Sequence, residues 1–112
     1  GWDEVRGFSE ALVRQIAAEH PKRFVANMRK ELRVGRIYID YLRNGQGATW
    51  IAPYSTRARP NATVSTPIGW EELTPKLRPD AFHVGNVPAR LAELKRDPWA
   101  GIDAVRQKLP KL

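Results

Sequence analysis

One carboxylate stands among five arginines in the middle of this sequence. Asp40 lies in a run rich in β-branched and aromatic residues, 34–42, and Arg33, Arg36, Arg43, Arg57 and Arg59 surround it along the chain. Aspartate is depleted from strands, so an Asp in the middle of one either sits over solvent or has a task. The planar fork of arginine matches phosphate oxygens two at a time, whereas a carboxylate repels phosphate unless a divalent cation lies between them. Two readings therefore stand side by side. Asp40 holds Mg²⁺ or Mn²⁺ in front of a phosphate, as strand carboxylates do in nucleotidyl transfer, or it pairs with Arg36 or Arg43 on the sheet surface.

Other chemistries find little support. There is no Cys, and His20 and His83 lack ligand spacing, so each reads as a cap or a surface residue. Ser9, Ser55 and Ser65 sit in no Gly-x-Ser-x-Gly context. No phosphate-loop or dinucleotide fingerprint occurs, and Gly45-Gln46-Gly47 reads as a turn. Charge says more: 19 Lys and Arg against 12 Asp and Glu give a net +7. Residues 1–20 carry −2, residues 21–59 carry +7 and residues 60–112 carry +2, so the excess lies in the stretch around Asp40. Seven of the nine basic side chains there are Arg, a bias that a solvated basic face does not need. A phosphate-bearing or nucleic-acid partner follows.

The elements that must position these residues read as α+β. Val5, Phe8, Leu12 and Ile16 recur at spacings of three and four, predicting an amphipathic helix from Trp2 to Glu19 with Asp3 as its N-cap and Pro21 beyond its end. Residues 21–32 fit either a short helix or an extended approach. Residues 34–42 and 48–52, joined through Asn44-Gly45, predict an antiparallel β-hairpin. Alternation places Ile37, Ile39 and Tyr41 toward the core and Arg36, Tyr38 and Asp40 on the opposite face. Residues 54–67 form a Pro-punctuated loop carrying Arg57 and Arg59, with 62–66 as a short edge strand. A short helix starts near Trp70, another runs from about Val87 to Lys95 with Asn86 as its cap, and Ile102 and Val105 keep helical spacing in the tail.

At 112 residues the chain is one domain or a piece of a larger one, read as a single unit over 1–112 with no repeat or linker. No apolar run approaches the roughly 20 residues of a membrane span, and Gly1-Trp2-Asp3-Glu4-Val5 does not resemble a signal peptide. The expectation is a soluble cytoplasmic chain without a membrane partner.

The strand-loop signature resembles a known family. Arg36-Ile37-Tyr38-Ile39-Asp40-Tyr41-Leu42-Arg43-Asn44, then Ala48-Thr49 and Ile51-Ala52-Pro53-Tyr54-Ser55-Thr56-Arg57-Ala58-Arg59-Pro60, is similar to the third motif region of the polymerase domain of bacterial DNA ligase D, within the archaeo-eukaryotic primase superfamily. The similarity continues through Val64-Ser65-Thr66-Pro67, Trp70-Glu71-Glu72-Leu73 and the closing Asp97-Pro98-Trp99, and so spans most of the chain. It implies a partial primase-polymerase fold and a part in non-homologous end joining, with nucleotides added to DNA ends and short gaps using Mn²⁺ or Mg²⁺. By the same resemblance Asp40 matches a catalytic, metal-ligating carboxylate. Arg57 and Arg43 match residues of the NTP or dNTP site, and Arg33 matches a basic residue near the metal. Arg36 and Arg59 are the expected DNA contacts.

The departure from the family is equally specific. Its first motif, a pair of aspartates one residue apart, and its second, a Ser/Gly-rich strand with Lys and His, do not occur. Two-metal phosphoryl transfer needs several carboxylates. The chain is therefore expected to be the C-terminal segment of such a domain, its site completed by the missing part or by a second copy. The unpaired strand edge favours association. A non-catalytic module that binds DNA or a repair partner through the same arginines, or an inactive relic, is the alternative.

Overall fold

Helix α1, Trp2–Glu19, forms where the apolar spacing predicts it. The computed structural model describes residues 1–112 as two units, Gly1–Trp50 with Gln107–Leu112 and Ile51–Arg106. In the first, α1 is braced on its outer face by Glu10 and Arg14 one turn apart (2.8 Å) and by a Gln15–Glu19 hydrogen bond of 3.0 Å. Its buried side is rotated by about one residue from the predicted stripe. Val13 is 6% exposed, whereas Leu12 is 37% exposed. Gly1, not Asp3, takes the N-cap position, and Asp3 lies in the first turn, where a carboxylate favours the helix dipole.

The helix stops at His20, one residue before Pro21. The His20 carbonyl then accepts the N–H groups of Arg23 and Phe24, both at 3.0 Å, turning the chain back along α1. Strand β1, Phe24–Val25, packs against α1 and brings Val25 into the core. It pairs in parallel with β2, Ile37–Tyr38, matching Phe24 to Ile37 and Val25 to Tyr38. Residues 26–36 make the crossover through a 3₁₀ turn, Lys30–Arg33, and Gly35 at φ 70°.

The antiparallel hairpin is thus corrected to a two-stranded parallel sheet. The cause lies at Asp40, whose carboxylate accepts the Leu42 N–H at 2.8 Å and turns the backbone out of the strand. Further turns follow: Asn44 N–H bonds to the Tyr41 carbonyl at 3.2 Å, Ala48 N–H bonds to the Gly45 carbonyl at 3.1 Å, and Gly47 takes φ 79°. The backbone groups that a hairpin needs are spent in turns. Ile37, predicted inward, is 59% exposed, while Ile39 and Tyr41 are half-buried.

In the Ile51–Arg106 unit, segment 62–65 is bonded on both sides and is not an edge strand. Arg57 donates to the Thr63 carbonyl at 2.7 Å and Ser65 donates to the Ser55 carbonyl at 3.0 Å on one flank. On the other, Val64 donates to the Phe82 carbonyl at 3.0 Å and Val84 donates to the Ala62 carbonyl at 3.1 Å. A 3₁₀ turn, Trp70–Glu72, stands where the short helix was expected, and another, Ile102–Ala104, replaces the helical tail.

Helix α2, Val87–Glu93, has Pro88 in its first turn and buries Val87. The Asn86 side chain does not cap it. Its Oδ1 accepts the His83 N–H at 2.9 Å and its Nδ2 donates to the Ala81 carbonyl at 2.8 Å, fixing the approach to the helix. No helix is long and apolar enough to cross a membrane.

Candidate functional site

The turn that ends β2 also aims the Asp40 carboxylate. Oδ1 takes the Leu42 N–H and the Tyr38 hydroxyl (3.3 Å), and Oδ2 lies 3.3 Å from Arg43 Nε. The Asp40 side chain is 33% exposed, so the group is held by the protein yet faces a surface concavity. That cavity, about 480 Å³, is lined by residues that include Met28, Arg33, Tyr38, Asp40, Arg43 and Thr49. Its volume suits a nucleotide-sized ligand.

Two cations frame the carboxylate. The Arg33 guanidinium lies 5.3 Å from the centre of the Tyr38 ring, a cation–π placement that keeps it over the pocket floor. Arg43 also donates through Nη1 to the Thr49 carbonyl, closing the turn region around the pocket. Burial, reinforced by the negative charge of Asp40, raises the Tyr38 phenol above its ordinary pKa. It remains a hydrogen-bond donor to the carboxylate at neutral pH. The pairing left open by the sequence is observed with Arg43 and not with Arg36. Arg36 donates to the Pro21 carbonyl at 3.4 Å and does not line this pocket.

Arg57 and Arg59 belong to the other unit. They line a cavity of about 500 Å³ with Ile51, Thr56, Ala58 and Pro60. None of Arg33, Arg57 and Arg59 is paired with a carboxylate, so each offers an uncommitted guanidinium for an anion.

Tyr38 and Thr49 were not anticipated as site residues. Tyr38 carries a sequence signal, since it is two residues from Asp40 and therefore on the same face of the strand. Thr49 carries none, because its part is played by a backbone carbonyl.

The residues present do not make a metal centre on their own. Mg²⁺ demands near-octahedral oxygen coordination, and no three His, Cys, Asp or Glu side chains of this chain come together to hold an ion. Asp40 is the single carboxylate lining this cavity.

Asp40 thus stands just beyond β2, paired with Arg43 and sharing its cavity with the unpaired Arg33, and comparison with known proteins identifies the family. Residues 1–99 match the model described as "LigD, primase-polymerase domain", and the chain belongs to that family. It is 42% identical over 110 residues to the multifunctional non-homologous end joining protein LigD of Pseudomonas aeruginosa, covering 97% of this chain and 13% of that protein. Against the bifunctional LigD of Bacillus subtilis it is 31% identical over 90 residues, 80% of this chain and 15% of that protein. Among solved structures it resembles the polymerase domain of Mycobacterium tuberculosis ligase D in complex with DNA. There the TM-score is 0.84 at 30% identity, covering 93% of this chain and 36% of that one. The chain thus spans about a third of that solved domain and less than a sixth of the two curated relatives. The family resemblance read from residues 36–60 is borne out.

Proposed function

We propose that this chain is the C-terminal portion of an end-joining primase-polymerase domain, contributing phosphate-binding arginines and one carboxylate to nucleotide addition at DNA ends and gaps. The observation that carries this reading is the pocket in which Asp40 stands between Arg33 and Arg43, in a chain of this family. Arg33 and Arg43 in the Gly1–Trp50 unit are contacts for the phosphates of an incoming NTP or dNTP, and Arg57 is the nucleotide-phosphate contact of the Ile51–Arg106 unit. Arg36 and Arg59 contact the DNA backbone. Asp40 supplies one ligand to Mn²⁺ or Mg²⁺, whose other ligands come from the remainder of the domain or from a second copy. The DNA complex of the structural relative supports the DNA partner.

The single carboxylate supports a second reading, in which the chain by itself is a binding module for phosphate-rich ligands. One experiment separates the two. A gapped, 5′-phosphorylated duplex is incubated with one nucleotide and Mn²⁺, using wild-type chain and Asp40→Ala, while duplex binding is followed by fluorescence anisotropy. Extension by wild type and none by the variant supports catalysis by an assembled site. Duplex binding without extension by either supports the binding module, and an affinity indifferent to salt overturns both.

A further inference from the structure

We infer that Tyr54 and Asp97 form a strut that holds the turn carrying Arg57 and Arg59 in its anion-receiving shape, which makes Tyr54 a positioning residue for phosphate. The inference rests on the reading of these two arginines as phosphate contacts.

Backbone strain is concentrated at this one place. Tyr54 (φ 64°), Asn61 (φ 67°) and Ala62 (φ 47°) are the non-glycine residues with positive φ, and they bracket the turn. An aromatic residue in that region crowds its own backbone, and such a conformation persists only where the surroundings over-determine it.

The over-determination is visible at both ends of Tyr54. Its N–H donates to the Ser65 carbonyl at 2.6 Å, and its hydroxyl donates to Asp97 Oδ1, which also accepts the Trp99 N–H at 2.9 Å. Beyond it the turn is closed by bonds from Arg59 N–H to the Arg57 carbonyl (2.8 Å) and from Ala62 N–H to the Arg59 carbonyl (2.9 Å). The result places two uncompensated guanidinium groups two residues apart on one cavity wall. Burial first, and the bond to Asp97 second, push the Tyr54 hydroxyl up to about 12, and it stays a donor at any physiological pH.

The test compares Tyr54→Phe, Asp97→Ala and Asp97→Asn with wild type. Trypsin cuts after Arg57 but not at Arg59, which precedes Pro60, so cleavage of the Arg57–Ala58 bond reports opening of the turn without any ligand. Tyr54→Phe is expected to cut about tenfold faster, as loss of one hydrogen bond implies, and Asp97→Ala, which also loses the Trp99 N–H contact, at least as fast. Asp97→Asn, which keeps an acceptor, stays within about twofold of wild type.

Anisotropy with the gapped duplex then reads the ligand. Tyr54→Phe weakens binding about threefold to tenfold and flattens the dependence on salt. It has no further effect in an Arg57→Ala/Arg59→Ala background, a result that general destabilisation does not produce. Wild-type cleavage rates in Tyr54→Phe overturn the strut. A wild-type chain that binds no duplex overturns the phosphate reading and the ligand half of this inference, while cleavage still decides the strut.

Discussion

Arg90 grips Glu72 with both terminal nitrogens, Nη2 donating to Oε2 at 2.8 Å and Nη1 to Oε1. The same guanidinium donates to the Pro67 carbonyl at 3.2 Å and stacks 4.6 Å from the centre of the Phe82 ring. Glu72 lies in a 3₁₀ turn and Arg90 on α2, so one fork-to-fork contact ties three segments of the Ile51–Arg106 unit together. The Arg90 side chain is 14% exposed, which shelters the pair from solvent screening.

Arg90→Ala is therefore expected to destabilise the protein by about 2–4 kcal/mol, because it strips a sheltered carboxylate of its partner. Arg90→Lys restores less than half of that, since a point charge cannot bond both oxygens at once. Urea denaturation of the variants measures both values.

The same pair sets an acid limb. The Arg90 hydrogen bonds, aided by the Gly69 N–H, hold Glu72 down to about 2 from an ordinary 4.5. A depressed carboxylate pKa contributes stability that is fully present above the ordinary value and disappears as pH falls through the folded one. Melting temperatures of wild type and Glu72→Gln should thus differ most near neutrality and converge as pH drops from about 4.5 towards about 2.

Asp40→Asn keeps an acceptor for the Leu42 N–H but removes the negative charge beside Arg43. Without metal, its affinity for inorganic pyrophosphate should rise about threefold to tenfold, the effect of deleting one like charge near a bound anion. Isothermal titration measures the change. In a complete polymerase domain the same substitution is expected to abolish nucleotide addition.

Duplex affinity should fall steeply with salt, and each of Arg36→Ala and Arg59→Ala should reduce the slope of log Kd against log salt by about 1. Anisotropy titrations over a series of salt concentrations read that slope directly.

What the sequence made legible was periodic or local. The spacing of Val5, Phe8, Leu12 and Ile16 marked α1, and of the five arginines that the sequence sets around Asp40, Arg33 and Arg43 line its cavity. The pairing of β1 with β2 was hidden because a two-residue strand is too short to show a period, and because the Asn44-Gly45 turn signal outweighed the tendency of Asp40 to bond its own backbone. Arg90 with Glu72, 18 residues apart, and Tyr54 with Asp97, 43 residues apart, were illegible for another reason. A contact made across a fold leaves no spacing in the chain, and each of these residues reads alone as an ordinary surface polar group.

Segment 62–65, bonded along both of its sides, acts as a shared ruler for the Ile51–Arg106 unit. Residues added within 58–61 can bulge outward without disturbing it. Loss of a single residue from 63–65 would shift both flanking segments by one step, and in extended chain one step turns every side chain to the opposite face. The direction in which Arg57 points is therefore fixed by an arithmetic of backbone bonds in which its own side chain has no part.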